Sequence, residues 1–474
     1  MSRSGFGIIG PPVLFIGIFQ LLETMLSPAL PLIQRELSAS PGEIAWIFTG
    51  GLISSAISTP ISGRLADMYD KRTVLLILMA ITSAGALISG LAPNVQVLIA
   101  GQAVQGVWLG VLPLTVGLFR DTLTPEQGAT GNGLVIGTAA LAGAIGLILS
   151  GPLIAALGYR SLFFLTLGGA LAAAIWAWIA VPATARAARG RVDWPGGLLL
   201  GGGIALLMLG LTTSSSWGWT DPVALALFAA AALTLGLWAF AELRSEDPLV
   251  DLRLLAGRSS AGVTAMGFVF GFASFGLMVA LPMMLALPAD TGYGMGADTL
   301  GIGLYMFPLG VAGTVIAPLV GPMTRLLGRR PVLVLGAVLV SVGTAMLAFW
   351  HGSPWEIVAG VTVTGLGGGI GLTAVLNVVA ADVPGERAAG VSGVVFVAKS
   401  IGGTFGAQVG AMVLAGGSVA GIPAESGFVS TYLLSALLGL LAVGAAFVIP
   451  GAVRYAEAAR EGSANAPKPA TSQE

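Results

Sequence analysis

The sequence has no cysteine, a single histidine and few charges: of its 474 residues, Asp, Glu, Lys and Arg make up 9%, against roughly 25% in soluble domains. Without cysteine there is no disulfide scaffold, thiolate metal site or cysteine nucleophile. The one histidine, His351, lies beside Gly352, Ser353 and Pro354 between two apolar runs. That leaves no metal-ligand spacing and no acid-base pair, so neither an enzyme nor a metal or other cofactor is expected. With 21 basic and 22 acidic residues the net charge is −1, and no basic field exists to attract nucleic acid. What abounds is apolar: 55% hydrophobic residues and 71 glycines, with a mean hydropathy of +0.92. These values describe an all-α polytopic membrane protein embedded in the lipid bilayer.

A helix crosses the hydrocarbon layer in about 20 apolar residues. Fourteen such runs can be read: 9–32, 44–65, 73–92, 96–119, 131–155, 162–183, 196–213, 222–241, 261–286, 299–322, 331–350, 355–380, 389–415 and 429–450. The first is interrupted by Pro11 and Pro12 and continues past Glu23, which is not a signal-peptide layout, so it is read as a retained helix. Residues 451–474 carry too little apolar content to fold and are expected to form a disordered tail. Lysine and arginine mark the cytoplasmic side of a membrane protein. With the N-terminus inside, almost every one falls on the inner side, Arg64, Lys71, Arg72, Arg120, Arg329 and Arg330 among them, and only Arg35 and Arg160 fall outside. Both termini are therefore expected in the cytoplasm.

The chain repeats itself. A shift of 258 positions lays Pro60-Ile61-Ser62-Gly63 on Pro318-Leu319-Val320-Gly321 and Lys71-Arg72 on Arg329-Arg330, and a shift of 260 lays Gly133, Gly143 and Gly146 on Gly393, Gly403 and Gly406. Two parallel six-helix bundles follow, over 1–185 and 259–450, with two inserted helices over 186–258. Parallel halves that rock about a midplane site are a known transporter architecture. Gly63-Arg64-Leu65-Ala66-Asp67-Met68-Tyr69-Asp70-Lys71-Arg72 resembles the loop signature of the major facilitator superfamily. Asp193-Trp194-Pro195-Gly196, Trp217-Gly218-Trp219-Thr220 and Asp247-Pro248-Leu249-Val250-Asp251-Leu252-Arg253-Leu254 resemble the insert flanks of its fourteen-span drug:proton antiporter branch. Val383-Pro384-Gly385-Glu386-Arg387, with Lys399-Ser400, resembles that branch's approach to the thirteenth span.

The resemblance implies roles for particular residues. Gly63, Arg64, Asp67, Lys71 and Arg72 are expected at an inner gate, with Gly63 allowing close approach, Asp67 facing the start of a neighbouring helix and the basic side chains at the inner surface. Asp70 stands where the family has glycine, and Gln102 where it has an arginine linked to proton coupling. Gln102, Gln105 and Trp108 recur at spacings of three and share a helix face; buried amides need partners, so this face is expected either to line the central cavity or to bond a neighbouring helix. Gly143-Ala144-Ile145-Gly146 with Ser150-Gly151-Pro152 is a degraded exporter motif whose small residues admit a partner helix. Gly365, Gly367, Gly368, Gly369 and Gly371 read as helix flexibility or tight packing, packing being preferred.

Glu23 and Lys399 are the two charges read deep inside spans, and an intramembrane charge costs about 2.5–3.5 kcal/mol even on the lenient insertion scale. Glu23 is expected to couple protons and, with Gln102, Gln105, Trp108 and Lys399, to contact cargo; the alternative is a purely structural pair of Glu23 with Lys399. Met278, Met283, Met284, Phe268, Phe270, Phe272 and Phe275 are expected to be mostly core or lipid-facing, one or two of them reaching cargo. No charge ring or filter loop suggests a channel. The expected function is secondary active transport, with proton-coupled efflux of amphipathic organic compounds by a monomer as the leading reading. A carrier or importer of one metabolite, or a lipid-handling or transport-dead sensor of the same fold, stands as the alternative.

Overall fold

Helix starts are written into the sequence as a capping residue followed by proline. Ser40-Pro41, Thr124-Pro125 and Asp221-Pro222 each place a side-chain acceptor at the N-cap and a residue that needs no N–H partner just inside. At Ser40 the arrangement is a full capping box: its hydroxyl accepts from Glu43 N at 3.3 Å, and its backbone N–H donates to the Glu43 carboxylate at 2.9 Å. Gly158 and Gly328 end helices at φ 76° and 84°, values open to glycine but strained for other residues.

The computed structural model describes residues 3–184, 193–245, 248, 252, 257–382, 385–416 and 422–449; the expected tail at 451–474 lies outside the described residues. Among these residues, 14 helices are long and apolar enough to cross a membrane. They are α1 (Gly5–Glu36), α2 (Pro41–Gly63), α3 (Lys71–Leu91), α4 (Val95–Thr122), α5 (Thr130–Leu157), α6 (Arg160–Ala180), α7 (Trp194–Leu211), α8 (Pro222–Arg244), α9 (Ser259–Ala286), α10 (Thr299–Leu327), α11 (Arg329–Phe349), α12 (Pro354–Val379), α13 (Gly393–Gly416) and α14 (Glu425–Val448). Each lies within a few residues of its expected span; the tenth ends at 327 rather than 322. Helices α1–α6 form one half and α9–α14 the other. Inserted helix α7 packs against both α2 and α13, along the seam between the halves, and α8 packs on α7. Gly197 and Gly201 of α7 admit the side chains of Ile61 and Ile57 of α2.

The two halves are built alike. Lys71 and Arg329 are both buried at the start of a helix, 1% and 7% exposed. The next residue of each pair reaches the end of its half's last helix: Arg72 donates to the Trp178 carbonyl, and Arg330 Nε donates to the Ile449 carbonyl at 2.6 Å.

Contacts between the halves concentrate at the end of the bundle away from the chain's N-terminus, here called the far end. One apolar cluster runs through the first half and takes in Leu281, Leu285, Ile302, Met306, Leu414 and Phe428, all far-end residues of the second half. The second half's near-end residues, such as Val263, Met266, Val332 and Val375, form a cluster of their own. Glycines show the same division. A Cβ on Gly303 would strike the Leu147 carbonyl and one on Gly151 would strike Leu300, both at the far end of the α5–α10 contact, whereas one on Gly133, Gly137, Gly321 or Gly393 would meet nothing. Among the described residues, the halves close on each other at the far end, while these near-end glycines face no neighbour.

Candidate functional site

Where α1, α2 and α4 meet, a cavity of about 40 Å³ is lined by Phe19, Glu23, Phe48, Ser55, Gln102, Gln105 and Trp108, with Phe275 of α9 as its wall from the second half. Its volume suits about three waters at 10–15 Å³ each, so a larger molecule needs the halves to part. Glu23 is the charged residue among those lining it. The Glu23 carboxylate accepts from Gln20 Nε2 at 3.2 Å, one turn earlier on α1.

The amide pair is joined directly: Gln102 Nε2 donates to Gln105 Oε1 at 2.8 Å and to Ser89 Oγ of α3 at 3.3 Å. From Gly106 to Gly110 helix α4 tightens into a 3₁₀ turn. In that geometry residues three apart eclipse, which keeps Trp108 aligned with Gln105 rather than rotated away. The tightening is anchored by Ser55 of α2, whose hydroxyl donates to the Gly106 carbonyl at 2.8 Å. Trp108 stacks on Phe19 of α1 with ring centroids 6.2 Å apart and planes 19° off parallel, while Phe48 meets Phe275 edge-on at 5.7 Å across the seam.

Four of the five expected cargo contacts, Glu23, Gln102, Gln105 and Trp108, line this one cavity, and Lys399 does not. Of the methionines and phenylalanines noted in α9, Phe275 reaches the cavity. Phe270 instead packs on Gly371, and Met284 is fully buried and accepts from the Tyr432 hydroxyl. In α12, Gly365 and Gly369 abut α10, Gly367 abuts α11 and Gly371 abuts α9, while a Cβ on Gly368 would meet nothing.

The side chains of Arg64 and Asp67 lie outside the described residues, and a Cβ on Gly63 would meet no neighbour. The expectation that Lys71 sits at the surface is corrected: its side chain is 2% exposed and its Nζ pairs with Asp121 Oδ2 of α4 at 2.6 Å. Asp70 accepts from Thr184 N at 2.6 Å and from Thr73 N at 3.1 Å, tying the start of α3 to the segment after α6. Partial burial pushes its carboxyl up, but the hydrogen bonds from Thr73 and Thr184 outweigh this and bring it down to about 2.

Sequence reasoning missed three features. Glu242 of α8 is a buried carboxyl side chain, 2% exposed; it stands in the helix's last turn, where an apolar count ends the span. At the seam, Gln408 Nε2 of α13 donates to Thr49 Oγ1 of α2 at 3.1 Å. Beside it, Ser27 Oγ of α1 donates to the Met278 carbonyl of α9 at 2.7 Å. The signal for that bond lies four residues on: Pro282 has no N–H, so the Met278 carbonyl lacks its helical donor.

Most of the chain has known relatives. A family model described as Major Facilitator Superfamily matches residues 13–259 and 263–472. The chain belongs to the Major Facilitator Superfamily. It is a multi-pass membrane transporter and not an enzyme. Among curated proteins it is 28% identical to "Multidrug resistance protein Stp" of Mycobacterium tuberculosis, over 84% of this chain and 74% of that protein. It is 27% identical to the "Tetracenomycin C resistance and export protein" of Streptomyces glaucescens, over 83% and 72%, and 28% identical to the "Probable actinorhodin transporter" of Streptomyces coelicolor, over 83% and 69%. Solved structures share the fold at low identity. A bacterial homologue of the human lysosomal transporter Spinster, described as inward-facing and unoccupied, superposes with a TM-score of 0.67 at 13% identity, covering 95% of this chain and 97% of that one. The human organic anion transporter MFSD10 superposes at 0.64 and 14%, covering 95% and 100%.

Proposed function

We propose that this transporter exports amphipathic organic compounds in exchange for protons, acting as a monomer with both termini in the cytoplasm, and that Glu23 is the carboxyl that carries the exchange. The observation behind this reading is that Glu23 is the ionisable side chain in a cavity otherwise lined by apolar, aromatic and uncharged polar residues. A carboxyl that alternates between dry and wet surroundings trades a proton with each exchange. If proton and cargo compete for it, the competition suffices to couple them. The names of the relatives, multidrug resistance and antibiotic export, support the direction and breadth of transport. On this orientation the basic near end is cytoplasmic and the described conformation opens inward. Asp67, with Gly63 and Arg64, then serves the near-end gate that closes in the opposite state.

The test is transport into inverted vesicles under an imposed pH gradient, with ethidium as cargo. Glu23→Gln is expected to abolish gradient-driven uptake while leaving passive exchange, and Glu23→Asp to keep part of the activity. Wild-type rates in the glutamine variant would make Glu23 structural.

A further inference from the structure

Gln105 has an incomplete set of hydrogen bonds. It is 2% exposed, its Oε1 is occupied by Gln102, and its Nε2 is buried with no partner among the described residues. A buried N–H left without an acceptor bears its full desolvation cost, so the group is poised for an acceptor that arrives from outside. The Ser55 hydroxyl of the same cavity is already engaged, reaching the carbonyls of Gly51 and Gly106, and Glu23, an acceptor when ionised, cannot serve a second acceptor. Beside the open donor stands the stacked Phe19–Trp108 wall, a surface against which flat rings pack well.

We propose that Gln105 sets cargo selectivity by donating its Nε2–H to a carbonyl oxygen carried on a planar aromatic ring system, so that the site favours aryl ketones over hydrocarbons of the same shape. This rests on the reading that the cavity is the transport site. It assigns Gln105 a task separate from that of Glu23, since the donor reads the cargo's acceptor while the carboxyl handles the proton. The halves must part to admit such a ring system, because about 40 Å³ of space holds only a few waters.

The test uses two neutral probes of matched shape, 9-fluorenone and fluorene, binding to protein in lipid nanodiscs with empty nanodiscs subtracted. Wild-type protein should hold fluorenone about five- to tenfold more tightly, the worth of one hydrogen bond. Gln105→Met should remove the preference by weakening fluorenone alone, and retained fluorene binding in that variant shows that the cavity is intact. Equal affinities in the wild type, a preference that survives Gln105→Met, no binding of fluorenone, or tighter binding of 2-aminofluorene, which offers a donor in place of the carbonyl, would each overturn the proposal. Ethidium transport by the same preparation separates the two readings. Fluorenone selectivity without export leaves the assignment of Gln105 in place and removes the export reading; export without selectivity does the reverse.

Discussion

Replacing Ser27 by alanine should shift the balance between the two access states, because the far-end closure contains a carbonyl that α9 cannot satisfy by itself. Pro282 provides no N–H for the Met278 carbonyl, and Ser27, 251 residues away in sequence, donates to it at 2.7 Å. With the hydroxyl gone, the closed far end buries an unsatisfied acceptor, at a cost of about 1–3 kcal/mol. At 1.4 kcal/mol per factor of ten, the far-end-closed population falls roughly five- to hundredfold relative to the far-end-open one. Since the chain has no cysteine, single cysteines can be placed without background. Leu157 and Trp355, 71% and 81% exposed at the far ends of opposite halves, are suitable sites for spin labels. Pulsed electron resonance should show the Ser27→Ala distances moving toward longer values. Pro282→Ala restores the missing N–H, and in that background Ser27→Ala should have little further effect. Unchanged distances in Ser27→Ala, or fully additive effects of the two substitutions, would refute the reasoning.

Two further outcomes follow from the near end. Asp121→Ala leaves the Lys71 ammonium buried without its partner, a loss of about 3 kcal/mol once the 30% exposure of Asp121 is allowed for. Thermal unfolding of the purified protein should show this loss, and the apolar pair Lys71→Met with Asp121→Leu should recover most of it. At Asp70 the folded carboxyl titrates near 2, below its ordinary 3.8. Its stabilising contribution is therefore complete above about pH 4 and is lost as pH falls toward 2. Amide exchange at Thr184, whose N–H donates to Asp70, should accelerate across that interval in the wild type and be fast throughout in Asp70→Ala.

The parts of this fold that were legible in the sequence are those that lipid and backbone chemistry enforce locally. Each crossing needs about 20 apolar residues, and caps such as Ser40 and Asp221 mark where a crossing starts, so span count and limits could be read residue by residue. The basic pairs were legible as a repeat because each half closes its last helix with the same guanidinium-to-carbonyl bond. The Gln102, Gln105 and Trp108 face was legible from its spacing. The 3₁₀ turn that aligns it was hidden, since its anchor, Ser55, lies on another helix. Lys71 looked like a surface charge because Asp121, its partner, is 50 residues away on α4. Pairings across the seam were hidden for the same reason, since they depend on how two halves meet and leave no periodic trace in either.

The repeat also shows where the halves stop being equivalent. A Cβ on Gly85 would meet the Gly101 carbonyl at 2.8 Å, and one on Gly343 would meet the Gly360 carbonyl at the same distance. The α3–α4 and α11–α12 contacts therefore have matching registers. Carrying that register along, Gln102 falls on Val361, Gln105 on Thr364 and Trp108 on Gly367. The backbone contact was kept while the chemistry was not: polar and aromatic groups face the cavity from the first half, and α12 presents glycines that press on α9, α10 and α11. On the export reading proposed above, the halves are then unequal partners. The proton carrier Glu23 and the cargo's donor Gln105 stay on α1 and α4, and the second half contributes Phe275 and the closing surface. Substitutions in the first-half lining should then alter which compounds are carried, while those at the seam, Ser27 among them, should alter how fast any compound is carried.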